Sequence, residues 1–224
     1  QVRFFDLGGT LDIAPGGQFL VDTRTGNTIG SLTNASTLRV RGRVVFDPNG
    51  NPPSNVTVSF TLDVDGGTLD VRDGRVLVNS GGRLRDATVA VGATGDLRFD
   101  RGGFASGIFV AEGTLSGDPQ GAFQFIDGVL KAGVGGATLA VGGEGLLLYN
   151  PSSLNFELQS GGGAFLNTGL IRVRPNGLRM RQVVLENAGT IRVENSSISL
   201  NEGAVIRNRT GGTVELLDGA QFNA

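Results

Sequence analysis

The chain contains no cysteine, no histidine and no tryptophan, and only one lysine (Lys131), one tyrosine (Tyr149) and one methionine (Met180). Without cysteine there are no thiol nucleophiles, disulfides or thiolate zinc sites. Without histidine there are no imidazole bases or His-ligated metals. The aromatic platform on which many sugar-binding proteins stack their ligand is reduced to Tyr149, which follows an apolar run and reads equally as a core or edge residue. No apolar run approaches the roughly 18 residues a membrane helix needs, so no membrane span is expected. Nor is there an excess of one charge: 19 basic and 21 acidic residues leave a net charge of −2. A nucleic-acid partner would call for a basic face or tail, and neither is present. The glycine-rich stretch 133–145 lacks the Gly-Lys-Ser/Thr of a phosphate loop and has no helix after it. No cofactor is expected.

Glycine is plentiful, at 38 of 224 residues, more than twice the ordinary ~7%. There is no collagen period, and 39% of the chain is apolar, enough for a sizeable core. The apolar residues come in short alternating runs broken by Gly, Asn or Asp, and no stretch keeps a helical period. The runs repeat. Gly-Thr-apolar-X-apolar occurs at Gly9–Ile13, Gly67–Val71, Gly189–Val193 and Gly212–Leu216, with looser copies at 36–40, 95–99, 137–141 and 169–173. A second unit, Gly plus a short apolar strand closing on Asn, occurs at 74–79, 145–150, 163–167, 203–208 and 219–223. Near the C-terminus the first unit recurs every 20 to 23 residues, at Gly169, Gly189 and Gly212. Short strands with a corner every few residues and a period near 20 describe a coil of strands, each turn stacked on the last. The expected fold is all-β, a single-stranded parallel β-solenoid of about ten rungs.

The stretches NTGLIRV (167–173), NAGTIRV (187–193) and NRTGGTVEL (208–216) carry a resemblance. They resemble the right-handed parallel β-helices of secreted bacterial adhesins, autotransporter passengers and related surface fibres. The pattern covers roughly residues 66–224. The resemblance implies a secreted or cell-surface protein. The start at Gln1 rather than Met fits either removal of a leader or a cut within a longer chain, and no leader is visible.

Residues 1–65 fit the pattern less well and are read as a separate N-terminal β region. Two longer runs, 37–46 and 56–64, flank a loop insertion at 47–55 that holds three of the seven prolines. They form either a hairpin on the flank or an oversized rung with a protruding loop, the second being preferred.

Asn167, Asn187, Asn208 and Asn223 occupy equivalent places in the second unit, and stacked amides at such places bond rung to rung as a ladder. Asp63, Asp65, Asp70, Asp73, Asp96 and Asp100 are interleaved with Arg72, Arg75, Arg98 and Arg101. Carbohydrate-active β-helix enzymes use outward carboxylates, but alternation with Arg points instead to an ion-paired outer face. No catalytic residue is assigned. Sequons at Asn34, Asn55, Asn195 and Asn208 are candidate glycosylation sites and, with the surface location, leave room for a cell-surface or glycan contact.

The sharpest functional expectation concerns the ends. After Gly219–Asn223 the repeat is due to continue, and the N-terminus supplies such a continuation at once. An uncapped solenoid end is an adhesive edge. The expected partner is therefore a second copy, head to tail, with residues 1–13 as an exchanged strand. The interface residues are Val2, Phe4, Phe5, Leu7, Leu11 and Ile13 at one end and Leu216, Leu217 and Phe222 at the other. A heterologous contact of this kind does not close and grows a homopolymeric filament or sheath. The alternatives are a shaft fragment of a cell-surface adhesin and, less favoured, a polysaccharide-active enzyme.

Overall fold

The computed structural model describes residues 9–22, 27–30, 36–47, 55–100, 108–149 and 156–223, without the side chains of 27–30 and Tyr149. Among these residues there is no helix; the 24 strands form one continuous parallel coil. Each turn contributes three strand segments, and equivalent segments stack into three walls. The first wall begins with Thr10–Ile13, Thr37–Val40 and Thr61–Asp65 and ends with Ser197–Asn201 and Gln221–Asn223. The second runs from Gln18–Val21 to Val205–Asn208. The third runs from Asn27–Gly30 to Thr213–Leu217. One turn takes 20 residues where Leu62 pairs with Gly82 and 28 where Leu130 pairs with Leu158. Ten segments in the first wall match the expected number of rungs.

The alternation of each short run decides which side chains enter the coil. In Thr190–Glu194, Ile191 and Val193 are buried while Arg192 points out. Because pairing is in register, inward residues line up as columns. One column of the third wall reads Val56, Val76, Leu97, Phe123, Leu146, Ile171, Ile191, Val214. Each turn thus lays an apolar layer on the one before, and together they form a single core. At Phe99, Phe109, Phe123, Phe125 and Phe156 the layers are aromatic. Phe99 stacks on Phe125 at 4.7 Å between ring centroids, with Phe109 edge-on to Phe99 at 5.0 Å.

The glycine of the Gly-Thr unit has a physical cause. A Cβ at Gly189 would collide with the carbonyl oxygen of Gly169 one turn earlier, and at Gly212 with that of Asn187. The corner brings successive turns so close that only hydrogen fits between them. Elsewhere corners use left-handed backbone, as at Asn176 (φ 75°) and Gly177 (φ 86°).

One expectation is corrected here and a choice between two is decided. No boundary appears at 65/66: from Thr10 onward the described strands already stand in the three walls. The stretch looked irregular because residues 48–54, which lie outside the described residues, interrupt the period between the second and third walls. The runs 37–46 and 56–64 are not a hairpin but rungs of the coil, the preferred of the two readings, while the loop at 48–54 lies outside the described residues. Each bends at a corner, at Arg41–Gly42 and at Phe60, and pairs in parallel with the neighbouring turns. Leu38, Val40, Val44, Phe46, Val56, Val58, Phe60, Leu62 and Val64 are all buried.

Candidate functional site

Among the described residues, the candidate places are the walls, the buried polar column and the last described turn. On the walls, most carboxylates meet arginines from the adjacent turn. Asp63 lies between Arg39 (3.0 Å) and Arg83 (3.0 Å), so that Asp12, Arg39, Asp63 and Arg83 form a lane of alternating charge on the first wall. Asp70 holds Arg43 (2.6 Å) and Arg72 (3.3 Å), and Asp96 holds Arg75 (3.0 Å) and Arg98 (2.6 Å). Asp65 pairs with Arg85, and Asp73 accepts the N–H of Gly74. Burial pushes the Asp96 carboxyl up, but hydrogen bonds from Arg98, Gln124 and Arg75 outweigh it and leave the group below its ordinary 3.8. Glu194 is likewise raised by burial and lowered further by Arg172 and Arg174, ending below 4.5. Held as anions by arginine, Asp96 and Glu194 are poor general acids. Among the described residues no group of three or more carboxylates could hold a metal ion. Shallow grooves occur at the corners, one between Thr114, Thr138, Leu166 and Glu186, another beside Glu144, Arg172 and Arg174. Both arginines of the second groove are ion-paired.

Asn167, Asn187 and Asn208 stack in register on the second wall with their side chains turned inward. Asn167 Nδ2 donates to Asn187 Oδ1 (2.7 Å), and Asn187 Nδ2 donates to Asn208 Oδ1 (2.7 Å). Each also donates to a carbonyl of the next turn, Thr190 at 3.1 Å and Thr213 at 3.0 Å. Asn167 and Asn187 are fully buried, and Gly169 N–H donates to Asn167 Oδ1 (3.2 Å). Asn208 Nδ2 turns to Gly212 O in its own turn (2.7 Å). Asn223 is no part of this ladder: it belongs to the first wall, opposite Ser199. The motif GAQFN resembles GAFLN because every wall is a short strand after a glycine corner, so similarity of motif does not identify the wall.

The last described turn comprises Val205–Asn208, Thr213–Leu217 and Gln221–Asn223, each paired on one side only. Leu216 continues the column of Val173 and Val193, and Phe222 that of Leu178 and Ile198. Those predecessors are buried, whereas Leu216 is 46% and Phe222 43% exposed; Leu217, on the outer side, is 42% exposed. At the other end, Val2, Phe4, Phe5 and Leu7 lie outside the described residues. Ile13 is not an interface residue in this structure. It is buried in its own chain's core, where Thr10–Ile13 pairs with Thr37–Val40, and Leu11 packs against the same core.

Of the sequons, Asn34 lies outside the described residues. Asn55 is exposed at the start of a third-wall strand. Asn195 is exposed at a corner in left-handed conformation (φ 47°). Asn208 is also exposed, but its amide nitrogen is engaged by Gly212. No described helix is long and apolar enough to cross a membrane.

The ladder of Asn167, Asn187 and Asn208 and the ion-paired outer face were legible in the sequence, but the ladder's carbonyl acceptors and the individual cross-turn pairs, such as Arg41 with Asp12 across 29 residues, were not. No family model matches the chain, and no match was found among the curated proteins or the solved structures.

Proposed function

We propose that the protein is a secreted structural subunit whose solenoid stacks head to tail on further copies, forming an extracellular filament or sheath at the cell surface. One observation supports this reading: every described turn adds to the one before by in-register parallel pairing, and the last described turn presents a parallel edge on all three walls with Leu216, Phe222, Ile206 and Val214 in line with the apolar columns. Such an edge adds a strand layer by backbone hydrogen bonding and buries apolar area as it does so. The ion-paired walls suit a surface that stays soluble along its length, and the reading needs no catalytic residue.

The test is negative-stain microscopy of the protein beside two variants, deletion of residues 1–13 and Leu216→Arg. The expected result is uniform filaments from the parent, with an axial repeat of roughly 45 Å at ~4.8 Å per turn, and none from either variant. A parent that stays monomeric at high concentration while fully folded overturns the proposal. It would favour the second reading, a shaft segment of a surface adhesin, in which the same chain supplies the next turn.

A further inference from the structure

Charge pairing on the walls is nearly complete. All fifteen described arginines have a carboxylate within ion-pair distance. Lys131, the only lysine in the chain, has none among the described residues. It stands on the outer side of the first wall, in line with Val110 one turn before and Gln159 one turn after. In the earlier turns this lane is Asp12, Arg39, Asp63 and Arg83. Here it changes to Val110 and Lys131, with Val129 beside them facing the same way, and Val134 just beyond is 80% exposed. An unpaired cation in a small aliphatic island, bordered one turn later by Gln159 and by Glu157, which Arg179 already holds, is suited to a partner that presents a carboxylate next to an aliphatic side chain.

The same chain presents that combination. Asp218 sits at an exposed corner in left-handed conformation (φ 55°), with no hydrogen bond or ion pair among the described residues. Exposed Leu217 precedes it. Leu217 faces outward in line with Glu194, so its exposure is lateral and does not depend on what stacks on the end face.

We propose that the Lys131 island of one copy receives the Leu217–Asp218 corner of a second copy from the side, pairing carboxylate with ammonium and Leu217 with Val129 and Val134. Every copy carries both halves, so the contact is heterologous and ties molecules, or filaments, side by side. It lies on the walls and stands whether or not the end-to-end stacking proposed above occurs.

The experiment is sedimentation velocity at about 0.02 M and about 0.5 M salt, a range that shortens the Debye length several-fold, with negative-stain microscopy of the same samples. Lys131→Glu and Asp218→Lys each place like charges together. Each is expected to raise the concentration for half-association about tenfold, which corresponds to about 1.4 kcal/mol. An equimolar mixture of the two variants restores a complementary pair and is expected to recover association. High salt is expected to weaken the parent. If end-to-end filaments form, both variants keep their axial repeat and lose side-by-side bundling. A parent that shows no lateral association, single variants that associate like the parent, or a mixture that fails to recover overturns the proposal. So does loss of association in Asp22→Lys but not in Asp218→Lys, since Asp22 is another carboxylate near an exposed leucine, Leu20.

Discussion

The middle turns and the C-terminal turns fill the same three-walled coil by different means. Around residues 97–125 the core is aromatic, with Phe99, Phe109, Phe123 and Phe125 in mutual contact. From 165 to 208 the second wall, which holds Leu139 one turn earlier, carries a column of amides. The carboxylates change as well: the cross-turn partners of arginine are aspartates in the early turns and glutamates from Glu112 onward. The aromatic stack draws its strength from area and dispersion and tolerates small slips. The amide ladder adds less free energy but demands register, because a one-residue slip would turn Asn187 to solvent and leave its partners unsatisfied in the core.

Perturbations of the two regions should separate along that line. Phe125→Ala should have the largest effect, about 3–5 kcal/mol, as expected for an aromatic cavity in a packed core. Repeat folds can melt in segments, so urea unfolding followed by hydrogen exchange should show protection lost first around 97–125. Asn187→Leu keeps the branched shape but strips Asn167, Asn208 and Thr213 of their bonds to Asn187. A loss of about 1–3 kcal/mol is expected, with exchange rising in 165–208 and the middle turns unchanged. Equal loss in both regions would mean that the coil unfolds as one unit and that the contrast is only compositional.

Acid should reach the two regions in sequence. Asp96 and Glu194 both have folded-state values below their ordinary 3.8 and 4.5, so the stabilisation they confer is present above those values. It is lost as pH falls through the lower, folded-state values. Protonation in the unfolded chain begins earlier for the glutamate, so the C-terminal turns should loosen first as pH drops below about 4.5, and the middle turns nearer 3.8. Exchange measured from pH 5 to about pH 2.5 checks the order. The smallest effect is expected on the exposed lane of the first wall: Arg39→Gln should cost no more than about 1 kcal/mol, and less in high salt.

The coil, its strand alternation and most of its inward residues were legible because each follows from spacing within one short run. Leu38 and Val40, or Ile191 and Val193, need no knowledge of distant residues to be placed inside. What escaped needed knowledge of the wall. Asn223 shares its motif with Asn167 but stands opposite Ser199. Residues 10–65 looked like a separate region because period, not packing, was the only available guide. Ile13 was read as a contact between molecules, yet its own second turn covers it. The pairing of Asp63 with both Arg39 and Arg83 depends on turn lengths that vary from 20 to 29 residues, which no local pattern reports.

The Gly-Thr unit serves the first wall at Thr10–Ile13, the second at 68–71 and the third at Thr190–Glu194. A gene encoding such a coil can gain or lose a single strand-and-corner segment without destroying it. Everything downstream would move on by one wall, its apolar columns still facing inward, while the pattern of charges on the outside is dealt to new sides. Duplication and slippage in the coding repeat thus become a means of shuffling surfaces, and the interior acts as a template indifferent to which side each segment ends up on.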